Sequence, residues 1–132
     1  MSEAPIVRYL SQDKNVLGTK LEPCSTDPLT GYFRDGTCRT GIQDDGSHIL
    51  CSRLTDEFLL YSKDQGNDLI SPSEDGRFKG LKSGDQWCLC ISRWTEALQA
   101  GAAPAVVLES THRDVLQWVP IDSLLDNSVK QQ

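Results

Sequence analysis

Gly80-Leu-Lys-Ser-Gly-Asp-Gln-Trp-Cys-Leu-Cys-Ile-Ser-Arg-Trp-Thr-Glu-Ala-Leu-Gln-Ala-Gly101 is the stretch from which the fold can be read. Gly84-Asp85 signals a turn, because glycine accepts positive φ and an aspartate side chain can accept hydrogen bonds from nearby amides. The bulky and thiol side chains of Trp87 to Ile91 predict a strand. Alternation would put Trp87, Leu89 and Ile91 on one face and Cys88 and Cys90 on the other. Ser92 is expected to cap a helix, on which Trp94 and Leu98 share a face at a spacing of four. Ala97 and Ala100 favour that helix, Gly101 is placed to end it, and Pro104 bars its continuation. Ala105 to Leu108 reads as another strand, so the segment predicts a strand–helix–strand crossover.

The Cys88/Cys90 pair admits three readings: small buried hydrophobes, ligands of zinc or another soft metal, or reactive thiols. A disulfide between them conflicts with an extended strand. Their β-carbons would stand about 6.5 Å apart, against the roughly 3.8 Å that a bridge needs.

Upstream, Arg53 to Asp64 predicts a helix capped by Thr55, with Asp56 and Glu57 in its first turn. Leu54, Phe58, Leu59 and Tyr61 form its apolar stripe. Ser47 to Ser52 reads as a brief strand, on which His48 and Cys51 face opposite ways unless a turn intervenes. Gly66 should end the helix, leaving Asn67-Asp68 as compact polar groups for an Asx turn or a ligand. Residues 22–46 are broken by repeated glycine and proline. Such a segment is either a mobile excursion or an ordered, site-building loop, and Tyr32 and Phe33 favour order. Gln43-Asp44-Asp45-Gly46 within it reads as a polar turn and lacks the pattern of an EF-hand. Leu17 and Leu21 are expected in the core. Downstream, His112 follows a strand end, where α/β units place ligand-contacting loops. Arg113 to Trp118 is expected as a strand, and Pro120 opens a last helix with Ile121, Leu124 and Leu125 on one face.

With 132 residues, 38% hydrophobic and 24% charged, the chain is expected to be a single globular unit spanning 15–126, between tails at 1–14 and 127–132. The fold class is α+β: a small mixed sheet, two or three short helices and a long glycine-rich loop region. A net charge of -6 without a basic cluster excludes non-specific nucleic-acid binding. No stretch is long enough to span a bilayer, and no apolar run follows a basic start. The five cysteines are odd in number, so reduced thiols in a cytoplasmic protein, monomeric or weakly dimeric, are the expectation.

Taken together, Asn15-Val-Leu-Gly18, Thr30-Gly31, Arg34-Asp35-Gly36, Phe58 to Leu60 and Gly66-Asn67-Asp68-Leu69 resemble the family called domain of unknown function 2237, found in bacteria and plants. So do Gly84-Asp85, Trp87-Cys-Leu-Cys90, Arg93-Trp94, Ala100-Gly101 and Thr111-His112. The resemblance runs from about Asn15 to Leu125 and implies a small stand-alone domain, without bringing a reaction. It marks Cys38, Asp85 and Arg93 beside the groups already named. The family pattern often has proline where this chain has Ser83 and arginine where it has Gln86.

These readings give one candidate site. Cys88, Cys90, His48, His112 and Asp68 are the candidate catalytic groups, with a histidine as base and a cysteine as nucleophile. Arg34, Asp35, Asn67, Asp85 and Arg93 are candidate ligand-binding groups. Cys51, Cys88, Cys90 and His48 are candidate ligands for zinc. The partner would be a small molecule, or a protein if the cysteines are only core residues and the domain is a non-catalytic adaptor. Arg34, Arg93 and Trp118 would then anchor the interface.

Overall fold

The strand β1 (Leu50–Arg53) leads into helix α1 (Asp56–Asp64) in a computed structural model of the chain. Strand β2 (Gln86–Leu89), helix α2 (Ile91–Gln99), strand β3 (Ala105–Val106) and helix α3 (Ile121–Asp126) follow, with 3-10 turns at Leu108–Ser110 and Arg113–Gln117. The structure describes residues 13–41 and 47–129. Most of the expected N-terminal tail and the Gln43–Gly46 turn lie outside the described residues.

The strands form one sheet in the order β2-β1-β3, both outer strands antiparallel to β1. β2 and β3 therefore run parallel and are joined through α2, the crossover that the central stretch predicts. The parallel element is an isolated bridge between Val106 and Ser128. The chain is a small α+β domain with three α-helices among the described residues. Hydrogen-bonded structure reaches past residues 15 and 126, since Lys14 bridges Lys20 and the Val129 amide donates to the Val106 carbonyl.

Register sorts the sheet residues into two clusters. Leu50 faces Leu89 and, with Trp87, joins the main core around Phe58, Trp94, Val106 and Leu124. Phe58 and Trp94 are fully buried, and each such side chain stabilises by about 3 kcal/mol. The one polar atom of Trp94 is satisfied, its Nε1–H donating to the Pro104 carbonyl at 3.0 Å. Cys51 faces Cys88, and these two join Cys24 and Cys38 in a separate buried cluster.

Local chemistry explains the helix ends. The Thr55 hydroxyl accepts from the Phe58 amide at 3.1 Å, as expected of a cap. α1 starts only at Asp56 because Arg53 still pairs with Gln86. Its end is a Schellman turn: the Asn67 amide donates to the Ser62 carbonyl and the Gly66 amide to Lys63, with Gly66 at φ +93°. α2 ends in the same way through Gly101.

Several expectations need correction. The strand through Ile91 stops at Leu89, and Cys90, not Ser92, is the N-cap of α2. The Cys90 carbonyl accepts from the Trp94 amide, which starts the helix one turn before the buried tryptophan. The Ser92 hydroxyl instead lies 3.1 Å from the Cys90 sulfur. Residues 113–117 form a 3-10 turn rather than a strand, because the Asp114 amide is taken by the His112 ring. Leu17 is exposed while its neighbour Val16 is buried, and Ile121 and Leu125 face outward while Leu124 packs inside.

The largest correction concerns the thiols. Four of the five cysteines are paired, Cys24 with Cys51 and Cys38 with Cys88, leaving Cys90 free. Both bridges run from the long irregular segment to the sheet. They pin a stretch with no helix or strand among its described residues onto the face of β1 and β2. Asn15 secures the start of that segment. Fully buried, it donates to the Lys20 and Glu109 carbonyls and accepts from the Leu17 and Thr19 amides. Among the described residues, no helix is long and apolar enough to cross a membrane.

Candidate functional site

A cleft of about 640 Å³ opens between the pinned segment, the end of α1 and the start of α2. It lies within the range of pockets that bind small molecules. Four local structures present its side chains.

The first is the Gly31–Arg34 turn. Gly31 holds φ +101°, and a β-carbon there would overlap the Thr37 carbonyl oxygen, so no other residue fits. Arg34 itself takes φ +55°, an uncommon conformation for a side chain of its size. Its guanidinium donates to the Gly31 carbonyl at 2.6 Å and lies over the Trp87 ring, 5.2 Å from the centroid. Cation–π stacking thus holds a positive charge against the Trp87 side of the cleft. Tyr32, Phe78 and Trp87 supply its aromatic wall.

The second is the turn at Ser47, where φ is +50° and the Ile49 amide donates to the Ser47 carbonyl. This bend brings His48 to the cleft while Cys51 continues into the sheet and the cysteine cluster.

The third is the Schellman end of α1, which delivers Asn67 and Asp68 to the rim. The Asp68 carboxylate accepts from the Ile70 and Ser71 amides at 2.9 and 3.0 Å. The Ser71 amide and hydroxyl, then the Ile70 amide, hold its carboxyl below the usual range, so it stays ionised near neutrality. It forms an Asx turn and offers its remaining oxygen as a fixed negative charge.

The fourth is the β2–α2 junction. Ending the strand at Leu89 separates the two sulfurs chemically: Cys88 is bridged to Cys38, while Cys90 is a free, half-buried thiol in the cleft. Arg93, one turn on, is held by the Gln65 carbonyl at 3.0 Å and by Glu96 at 3.6 Å.

The cleft therefore gathers His48, Asn67, Asp68, Cys88, Cys90, Arg34 and Arg93. Other candidates lie elsewhere. His112 is buried beside the Asn15 turn; its Nδ1 accepts from the Asp114 amide, so the proton sits on Nε2, which donates to Asp13 at 2.9 Å. Both ring nitrogens are thus engaged away from the cleft, Nε2 in tying the N-terminal segment down through Asp13 and Nδ1 in the local turn at Asp114. Asp35 is tied to Arg39 at 2.6 Å and to Thr37. Burial pushes its carboxyl up, but the Arg39 and Thr37 hydrogen bonds and the Arg39 charge outweigh this and leave it lowered. Asp85 closes the turn before β2 by accepting from the Lys82 amide. It borders a second groove of about 880 Å³ that shares Arg34, Phe78 and Trp87 with the first. The expected metal set is split, Cys51 and Cys88 being held in disulfides while Cys90 and His48 line the cleft. Gln86, where the family pattern often has arginine, donates to the Cys24 carbonyl at 2.6 Å and so helps anchor the pinned segment.

Sequence reasoning missed the aromatic wall. Tyr32 was legible only as a sign of order, and Trp87 only as one of three side chains on a strand face; the pairing of Trp87 with Arg34 across 53 positions had no local signal. Cys24 went unmarked because it lies in none of the spacings that announce a sulfur site.

The model of a family described as "Uncharacterized protein conserved in bacteria (DUF2237)" matches residues 14–128. No curated protein matches the chain.

Proposed function

This chain belongs to the domain of unknown function 2237 family, and from its cleft we propose that it binds a small organic anion bearing a flat or apolar portion, with the Cys90 thiol facing the bound molecule. The observation that carries this reading is the meeting of Arg34 and Arg93 with Tyr32, Phe78, Trp87 and Cys90 in one cleft. Two guanidinium groups line the cleft beside the one lining carboxylate of Asp68, and with Arg93 partly offset by Glu96 at 3.6 Å, Arg34 is the less compensated positive charge in a protein of net charge -6. Guanidinium forks suit carboxylate and phosphate geometry, and the aromatic wall suits an apolar body. Asn67 adds neutral donors and an acceptor for orientation. If chemistry occurs, Cys90 and His48 are the cleft groups able to form a covalent bond and to carry a proton.

Alkylation of Cys90 tests the charge of the site directly. Iodoacetate carries a negative charge and iodoacetamide does not. Relative to a free thiol in solution, Cys90 should favour iodoacetate, and Arg34→Ala or Arg93→Ala should abolish that preference. A bound carboxylate or phosphate ester should slow both reagents and shift the emission of Trp87. No preference for the charged reagent, together with no protection by any member of a broad panel of organic anions, would sink the proposal.

A second reading, a protein-binding adaptor with inert cysteines, draws on the C-terminal region. There Trp118 is 58% exposed, and Leu116, Ile121 and Leu125 are exposed with it. Trp118→Ala would weaken that interaction and leave anion protection of Cys90 intact. We place the protein in the cytoplasm, where thiol buffers would keep Cys24, Cys38, Cys51 and Cys88 reduced for much of the time.

A further inference from the structure

Independent disulfides in a small domain have no reason to share one point in space. Here they do: the sulfurs of Cys24, Cys38 and Cys88 all lie within 4.8 Å of one another, and the fourth sulfur, Cys51, is bonded to Cys24. All four residues are buried, none more than 4% exposed, and they form a cluster apart from the main core. We propose that Cys24, Cys38, Cys51 and Cys88 in their reduced state bind one zinc ion, and that the two disulfides and the tetrathiolate site are alternative states of one cluster. The proposal does not rest on the anion cleft.

The geometry requires little movement. Tetrahedral zinc with sulfur at about 2.3 Å sets the sulfurs about 3.8 Å from each other. Three of the four sulfurs lie within 4.8 Å of one another; opening the Cys38–Cys88 bond moves that pair apart to the zinc spacing, and opening the Cys24–Cys51 bond lets the Cys51 sulfur turn in as the fourth donor. The donors are well held. Cys51 and Cys88 stand opposite each other in the β1–β2 register. The amide of each donates to a buried threonine hydroxyl, Thr111 at 3.1 Å and Thr30 at 2.9 Å. The Cys24 amide donates to the Gly36 carbonyl at 2.7 Å, fixing the loop that carries Cys38 two residues on. Four sulfur donors, closed off from solvent, match a structural zinc site rather than a catalytic one, which would keep a position open. The donor chemistry selects a soft or borderline metal over magnesium or calcium.

The interconversion balances with a dithiol as reductant. Two dithiols each give up two electrons and two protons and become cyclic disulfides. The Cys24–Cys51 and Cys38–Cys88 bonds break, and the four sulfurs take up those protons as thiols. Zinc then replaces the four protons, which pass to solvent, and four Zn–S bonds form on a complex of charge -2.

The full chain, reduced with dithiothreitol, freed of reductant under anaerobic conditions and titrated with Zn²⁺ against a chromophoric chelator, should bind one equivalent. Co²⁺ in its place should give the absorption of a tetrahedral tetrathiolate. Cys90→Ser should bind as the wild type does, and Cys38→Ser should bind at least ~100-fold more weakly, a first ligand mattering at least as much as an outer partner. Because Cys38→Ser could fail to fold, the wild type gives an independent readout: zinc should raise the thermal midpoint of the reduced protein and leave that of the oxidised protein unchanged. Sub-stoichiometric binding, a cobalt spectrum with oxygen or nitrogen ligands, loss of binding in Cys90→Ser, or no thermal shift would each overturn the assignment.

Discussion

Removing the Cys24–Cys51 bridge by the double replacement Cys24→Ala/Cys51→Ala isolates what the cross-link contributes. The two residues are separated by 27 positions. On the chain-entropy account, freeing a loop of that length destabilises the oxidised protein by about 3.5 kcal/mol. The Cys38–Cys88 bridge spans 50 positions, and its removal should cost about 4 kcal/mol. The logarithmic dependence makes the difference between the two about 0.5 kcal/mol, in favour of the longer loop. Either loss is a large share of the roughly 5–15 kcal/mol that holds a domain folded. Urea unfolding without reductant is the assay, with metal chelated throughout. At a slope of about 1.5 kcal/mol per molar, the midpoint should fall by about 2.3 M without the Cys24–Cys51 bridge and by about 2.7 M without the Cys38–Cys88 bridge. The unfolded, unreduced wild type should titrate a single thiol, that of Cys90. Midpoints within about 0.5 M of the wild type, or five titrating thiols, would refute the premise that these bridges constrain the unfolded chain.

Other perturbations read different parts of the structure. Asn15→Ala should lower stability by about 3 kcal/mol in the same assay, since the Leu17 and Thr19 amides lose the side-chain oxygen that accepts from them and a void replaces the fully buried amide. Gly31→Ala should cost about 2 kcal/mol through backbone strain and contact with the Thr37 carbonyl, and should weaken anion protection of Cys90 because the turn carrying Arg34 must shift. The carboxyls of Asp35, Asp68 and Asp75 are all held below their ordinary value of 3.8. The unfolded chain therefore binds more protons than the folded one near that pH. Their stabilisation is present above about pH 4 and lost as pH falls through the lower folded values. Thermal midpoints should drop more steeply below pH 4 than in Asp35→Asn, which removes one of these groups.

Local signals were readable where a residue acts on its own neighbours. Thr55 capping α1, Gly66 and Gly101 ending helices, and Trp87 and Leu89 turned to the core all follow from short-range rules. The β2–α2 boundary was misjudged because Ser92 is the better cap by propensity, whereas the tertiary demand to bury Trp94 starts the helix at Ile91. His112 looked like a strand-end ligand and is instead a buried bracket, since its partner Asp13 lies 99 positions away. The sulfur pairing was hidden for the same reason: Cys24 and Cys38 meet β1 and β2 only after the irregular segment folds back on the sheet. The cleft was legible as a set of residue types but not as an enclosure, because its walls come from stretches that share no periodicity.

The connection from Ser71 to Arg77 is exposed along its whole length. A protease cutting after Arg77 would divide the chain into two pieces, one carrying β1 and α1, the other β2, α2 and α3. Cys24–Cys51 lies wholly within the first piece, whereas Cys38–Cys88 joins the first to the second. The nicked oxidised protein would migrate as one band on a gel until a reductant is added, and only then as two. A single covalent tie, formed beneath the cleft, thus makes the molecule's integrity independent of the peptide bonds of this exposed connection.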